Sequence, residues 1–175
     1  MKAALFHEHG DIEVLKYGDI DTPTPGPGEV LVEVKACSLN HLDVWVRRGL
    51  PGLKLPLPHI GGSDIAGVVA GLGPGAQGCE VGQRVVVDPG LSCGRCAWCE
   101  AGEHSLCDRY GIIGEHTRGG FAQYAVVPDR NVLPLPDGVP FERAAAAPLV
   151  YLTAWRMGRR AGVRAGQSVL VVGAG

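Results

Sequence analysis

The stretch Cys93–Cys107, CGRCAWCEAGEHSLC, sets four cysteines in a C-x2-C-x2-C-x7-C run. Two-residue gaps let a chain turn and point successive thiolates inward, and zinc takes four such ligands tetrahedrally at about 2.3 Å. The spacing therefore suits one Zn²⁺ held by Cys93, Cys96, Cys99 and Cys107. Three rivals stand beside that reading: an iron–sulfur cluster, disulfides, and thiols that merely pack. The bacterial ferredoxin run ends in a three-residue gap followed by Pro. Here the last gap is seven residues and Asp108 follows. A closed four-thiolate site keeps no position for substrate, so this zinc is read as structural and the chemistry must lie elsewhere.

On either side of the lobe, placed at 91–110, short β-branched runs are punctuated by 27 glycines and 13 prolines, a texture of many turns and many short strands. Strands are expected at Ala3–Phe6, Val30–Val34, Ile65–Ala70, Arg84–Val87 and Phe121–Val127, with Val30, Val32 and Val34 alternating against Leu31, Glu33 and Lys35. An all-β sandwich or barrel follows. Thr22–Gly28, TPTPGPG, and Leu50–Pro58 are too rich in Pro and Gly for a regular element. Asn40–Arg48 reads as a short helix stopped at Gly49. After Pro136 the texture turns helical: Glu142–Ala147 comes first, and Leu149–Ala161 follows, with Pro148 in its first turn and Gly162 beyond its end. Ser168–Gly175, SVLVVGAG, then reads as a strand entering a Gly173-x-Gly175 turn, where a dinucleotide fold receives pyrophosphate. Alone, that turn is a weak signal, because ordinary strand ends look alike. Its place after an all-β region and two helices suggests that an α/β domain begins there and that the chain is the front half of a longer protein.

Composition narrows the partners. The chain is long enough to bury a core, and 46% of its residues are hydrophobic. A formal net charge of −2, with Lys and Arg scattered, gives no footprint for nucleic acid. No signal-peptide run opens the chain and no 18 apolar residues run together, so no membrane association is expected. A reducing cytoplasm and small-molecule partners follow, leaving Cys37 and Cys79 as free thiols.

Several segments together resemble the zinc-type medium-chain dehydrogenase/reductase family, the alcohol dehydrogenase-like proteins. They are Pro27-Gly28-Glu29-Val30, Gly82-Gln83-Arg84-Val85, the four-cysteine lobe, Gly120-Phe121-Ala122-Gln123-Tyr124, and Leu152-Thr153-Ala154-Trp155 before the final Gly-x-Gly. The resemblance implies a mainly β, GroES-like, partly open barrel with a zinc-binding lobe over 1–140. Connecting helices and the first strand of an incomplete Rossmann domain follow over 141–175. It implies one structural zinc, NAD(P)H in the full-length protein, and a homo-oligomer, dimer or tetramer. It also implies that His41 meets the cofactor pyrophosphate, that Thr153 lies against the nicotinamide, and that Gly173 and Gly175 belong to the cofactor turn.

Alcohol dehydrogenases of that family hold a second, catalytic zinc through a Cys in C-x-x-D, a His in G-H-E and a later Cys. At those positions this chain has Asn40-His41-Leu42-Asp43, Gly62-Ser63-Asp64 and the neighbourhood of Leu149, a pattern resembling the family's quinone and enone reductases. Bound zinc lowers the pKa of water from about 15.7 to about 7, on the order of 10 kcal/mol of help towards an alkoxide. One preorganised donor supplies about 3 to 4 kcal/mol. Asn40 cannot match a metal, so reduction of a quinone or α,β-unsaturated carbonyl without catalytic zinc is the leading expectation. Asn40 would orient the substrate carbonyl or the nicotinamide ribose and Asp43 would fix the turn and its neighbours by hydrogen bonds, although both could simply cap the helix. His41 could be an exposed loop residue, and Thr153 could bond back to its own helix. His59, Ser63 and Asp64 could join Cys37 or His41 in an unusual metal site. Trp45 and Tyr151 suit core or cleft wall. The alternatives are a zinc-dependent alcohol dehydrogenase, a non-catalytic zinc-binding module, and a chaperonin-cofactor-like ring, which the lobe and the late helices disfavour.

Overall fold

The computed structural model describes residues 1–173. Its centre is β3 (Glu29–Ser38), ten residues in which Val30 and Val32 are fully buried while Leu31 and Glu33 are only half-buried, as the period of two requires. β3 pairs antiparallel with β4 (Asp64–Leu72) on one side and with β8 (Tyr124–Pro128) on the other. β4 continues to β5 (Arg84–Val87), and β5 to β9 (Val132–Pro134), giving one sheet in the order β8-β3-β4-β5-β9. Two register shifts along β3·β4, at Leu31/Val32 and Val34/Ala36, bend the sheet. Gly67 lies opposite that bend, where a Cβ would stand 2.1 Å from the Glu33 carbonyl oxygen, so only glycine allows the strands to approach.

Curvature wraps the sheet around one apolar interior of Val30, Val32, Ile65, Val69, Val85 and Val87, closed by Ile113, Ala125, Val127 and Val132. A smaller pair, β1 (Lys2–Leu5) with β2 (Lys16–Asp19), covers a second cluster of Ala3, Leu5 and Ile60. β6 (Gly90–Leu91) and β7 (Gly111–Ile112) pair at the root of the cysteine lobe. The five strands expected before residue 130 are present, the last of them beginning at Tyr124 rather than Phe121, as are the loops at 22–28 and 50–58 and the mainly β class. β2, β6, β7 and β9 were not foreseen: β2 reads KYGD, with no apolar alternation, and the others are two or three residues long.

α1 (His41–Arg48) starts at Asn40 and ends at Gly49, whose φ of 95° suits only glycine there. α3 (Phe141–Ala145) presses Ala144 and Ala145 onto Ala66 and Leu135, on the face of the sheet away from the main core. Between them in sequence, α2 (Ala97–Glu100) is a single turn inside the lobe. α4 (Pro148–Arg160) begins with the expected proline and buries no residue fully; Tyr151 and Trp155 are more than 70% exposed. Tyr151 is therefore not a core residue, and Trp45, 51% exposed, is not one either. The run expected as a terminal strand, 168–172, is not paired as one, and Leu170 and Val172 are 88% exposed. A strand exists by its hydrogen-bonded neighbour, and none of the described residues provides one.

Candidate functional site

Two polar centres stand out. In the lobe, one ligand atom from each of Cys93, Cys96, Cys99 and Cys107 falls within 4.8 Å of the others. The Cys96–Cys99 and Cys93–Cys99 sulfur separations are 3.6 and 4.0 Å. Thiolates about 2.3 Å from a tetrahedral zinc lie about 3.8 Å apart, so these two separations suit that ion. The backbone is arranged for negative sulfur: the N–H groups of Cys93 and Arg109 donate to Cys107 Sγ at 3.2 and 3.3 Å. The Arg95 backbone N–H draws the Cys93 thiol down to about 6. Cys96 is lowered as well, first by the Cys99 backbone N–H. Cys93 and Cys96 so placed ionise readily and bind metal as thiolates, whereas Cys107, despite the Cys93 N–H, is raised by burial and by the neighbouring Cys93 and Cys99 thiols. All six cysteines are free thiols in this structure.

The second centre gathers at the start of β4. Asp64 is 1% exposed, and its carboxylate accepts three hydrogen bonds, two from the β3–α1 junction and one from α4. Oδ2 takes the Ser38 hydroxyl at 2.8 Å and the Asn40 side-chain amide at 2.8 Å; Oδ1 takes the Leu149 backbone N–H at 2.7 Å. Asp43, one turn into α1, reaches back to the Asn40 backbone N–H at 2.7 Å and across to the Gly62 N–H at 3.1 Å. Burial pushes the Asp43 carboxyl above its usual range, against the pull of those two N–H groups. Cys37 lies beneath, its thiol held far above the ordinary range by burial and then by the nearby Asp43 and Asp64 carboxylates.

Close backbone crossings hold this centre rigid. Gly62 has φ of 93°, and a Cβ on it would meet Phe121 at 2.7 Å and Cys37 Sγ at 2.9 Å. A Cβ on Gly119 would stand 2.1 Å from the Gly62 carbonyl oxygen. Beside the junction, between the lobe and α4, lies a cavity of about 550 Å³ lined in part by Asp88, Tyr110, Leu149, Thr153 and Arg156. An Arg156–Glu103 ion pair spans the lobe and α4.

Asn40 and Asp43 thus meet in one network, and both carry the helix-start contacts that a capping role requires. His41 is exposed, its ring 4.8 Å from Trp45. Thr153 donates to the Leu149 carbonyl at 2.8 Å, the helix back-bond. Gly173 has φ of 80°, and Gly175 lies outside the described residues. His59 is fully buried; its Nε2 faces the Gly114 carbonyl at 3.0 Å and its Nδ1 has no partner. Among the described residues the thiolate quartet is the only group of three or more His, Cys, Asp or Glu arranged to hold a metal, so His59, Ser63, Asp64, Cys37 and His41 are not assembled as one. Sequence reasoning missed Ser38 and the tie from Asp64 to Leu149. The Asp in Gly62-Ser63-Asp64 was the available signal, but its partner lies 85 residues on.

A curved antiparallel sheet that carries a four-thiolate lobe and a polar junction at the foot of α4 defines a GroES-like domain with a metal lobe. Residues 26–137 match the alcohol dehydrogenase GroES-like domain family. The chain belongs to that family, among the zinc-type medium-chain dehydrogenases/reductases. It is 39% identical over 160 residues to L-threonine 3-dehydrogenase of Pyrococcus furiosus, covering 90% of this chain and 45% of that protein. An NAD-dependent alcohol dehydrogenase of Sulfolobus acidocaldarius is 36% identical over 183 residues, with 100% and 52% covered. The fold superposes with a TM-score of 0.90 on a crystal structure of an NAD-dependent alcohol dehydrogenase, 53% identical, over 95% of this chain and 49% of that one. It superposes equally, at 44% identity over 99% and 52%, on a cobalt- and zinc-bound thermostable alcohol dehydrogenase from Pyrobaculum aerophilum. The chain spans about half the length of these relatives. The names of these relatives favour the alcohol dehydrogenase alternative over the quinone or enone reductase expectation. No helix among the described residues is long and apolar enough to cross a membrane.

Proposed function

We propose that this chain is the catalytic-domain portion of an NAD(P)-linked dehydrogenase that interconverts an alcohol and a carbonyl on a small molecule. The observation that carries this reading is the 0.90 TM-score and 53% identity to an NAD-dependent alcohol dehydrogenase over nearly the whole chain. The domain division follows the same lines: a GroES-like domain over 1–140 and, from 141, the helices that lead into a cofactor-binding domain.

The roles divide between the two centres. Cys93, Cys96, Cys99 and Cys107 would hold a zinc that folds the lobe and leaves no open coordination position. Bound nicotinamide would supply or accept the hydride. Asn40, its amide fixed by Asp64, orients the substrate oxygen, and Asp43 locks the turn that carries Asn40. His41 is exposed and free to meet an anionic group of the cofactor, and Thr153 sits on the helix that lines the cavity. A catalytic zinc does not fit the second centre. Asn40, Ser63 and Leu149 bring neither thiolate nor imidazole, and both oxygens of the one carboxylate, Asp64, already accept hydrogen bonds.

That misfit favours a second reading, hydride delivery to an activated acceptor such as a quinone or enone, which needs less help from the protein. Assaying the full-length protein with alcohols and NAD⁺ or NADP⁺, and with quinones or enones and NADH or NADPH, separates the two. Turnover of alcohols or the corresponding ketones supports the first; turnover confined to quinones or enones replaces it with the second.

A further inference from the structure

The Asp64 carboxylate accepts three hydrogen bonds and so joins two distant stretches of chain: Ser38 and Asn40, where β3 passes into α1, and Leu149 in the first turn of α4. A buried carboxylate is costly unless its lone pairs are filled, and here three short donors fill them. The Leu149 bond is more than an ordinary contact. Its N–H is one of the four unpaired donors at the start of a helix, and the helix dipole favours negative charge at that end. Apart from the short link to α3, whose Ala144 and Ala145 are buried on the sheet, α4 itself adds little to fix its beginning. Its residue at the N-terminal cap, Ala147, has no side chain that can accept, and none of its residues is fully buried.

We propose that Asp64 is a positioning residue that sets α4, and with it Thr153 and the wall of the cavity, in register with Asn40. The carboxylate does by hydrogen bonding what a shared metal ion would do by coordination at Asn40, Gly62-Ser63-Asp64 and Leu149. Removing its charge alters the geometry of the cleft without touching a reacting atom. The inference goes beyond the dehydrogenase reading and does not depend on which substrate is turned over.

Hydrogen exchange at the Leu149 amide of the full-length protein tests it, alongside the number of divalent ions bound per chain. Asp64→Asn keeps the shape but withdraws the negative charge from the first turn of α4 and leaves one acceptor oxygen where there were two. The Leu149 amide is then expected to exchange about ten-fold faster or more, with the lobe still holding one zinc. The double variant N40D/D64N restores the donor–acceptor order and is expected to recover most of the lost protection, a rescue that a merely space-filling role would not produce. Unchanged exchange in Asp64→Asn, or no recovery in the double variant, overturns the proposal. The metal count needs no variant: one zinc per wild-type chain, unaltered by excess Zn²⁺ or Co²⁺, agrees with it, and a second tightly held ion overturns it. Substrate assays decide the dehydrogenase reading separately, so either can fail alone.

Discussion

The cysteine lobe and the Asp64 junction both tie chain segments together at a point, yet they are built from opposite materials. The lobe draws its four ligands from fifteen consecutive residues, Cys93 to Cys107, and little apolar burial supports it. The junction draws on positions 38, 40, 64 and 149, is sealed under glycine crossings, and holds itself with hydrogen bonds alone. A local centre can depend on an ion because its ligands are neighbours in the unfolded chain as well. A long-range centre exists only after the sheet has formed, so the fold must bring its own complementary groups.

Breaking the lobe should therefore have the largest and most localised effect. Structural zinc sites contribute about 10 kcal/mol or more of apparent binding free energy near neutral pH. Replacing Cys107 by Ser is expected to abolish stoichiometric zinc, read by elemental analysis, and to open residues 91–110 to protease. The β8-β3-β4-β5-β9 sheet, whose apolar interior draws no residue from the lobe's cysteines, should keep its far-ultraviolet circular dichroism. A global collapse on losing zinc would show that the lobe is a keystone of the sheet rather than an appendage.

Gly119→Ala attacks the other region where it is least compliant. The added methyl would stand 2.1 Å from the Gly62 carbonyl oxygen and 2.6 Å from that of Gly61, both main-chain atoms of the strand entry that carries Asp64. Backbone cannot rotate away as a side chain can, so a cost of about 3 kcal/mol is expected, at the upper end for overpacking. Urea denaturation reads it. A loss below about 1 kcal/mol would mean that the junction flexes, and would weaken the case that it holds geometry.

What the sequence made legible follows the same division. Local features were readable: the thiolate spacing, the alternation of Val30 and Val32, and the Pro148 start and Gly162 end of α4. Asn40 and Asp43 could be singled out, and their capping contacts could be foreseen, because both lie within one helical turn. The Asp64–Leu149 bond could not, since no pattern marks which backbone N–H a carboxylate will meet 85 residues away. β2 escaped for a related reason: its register is set by backbone pairing with β1, while its side chains, largely exposed, carry no pattern. Residues 168–172 show the converse: a strong strand signal stays unpaired among the described residues, because propensity does not supply a neighbour.

The smallest effect is expected at His59, whose ring meets the carbonyl of Gly114, a residue packed against Gly62 of the junction. Burial lowers its pKa below the ordinary 6.5, outweighing the Gly114 hydrogen bond. The unfolded chain then binds a proton at a pH where the folded chain does not. Stability from this residue is fully present above about pH 6.5 and is lost as pH falls from there towards the folded value, at no more than about 1.4 kcal/mol per pH unit. Gln at position 59 carries an amide that can still donate to Gly114 but cannot be protonated in this range. His59→Gln should therefore flatten the fall of melting temperature between neutral and mildly acidic pH while changing it little at pH 8. The zinc lobe complicates acid titration, because thiolates also take up protons as pH drops. Comparing wild type and His59→Gln, both with Cys107 intact and zinc in excess, cancels that contribution. A difference between them that grows as pH falls assigns the acid sensitivity to the buried imidazole, and parallel curves assign it to the lobe.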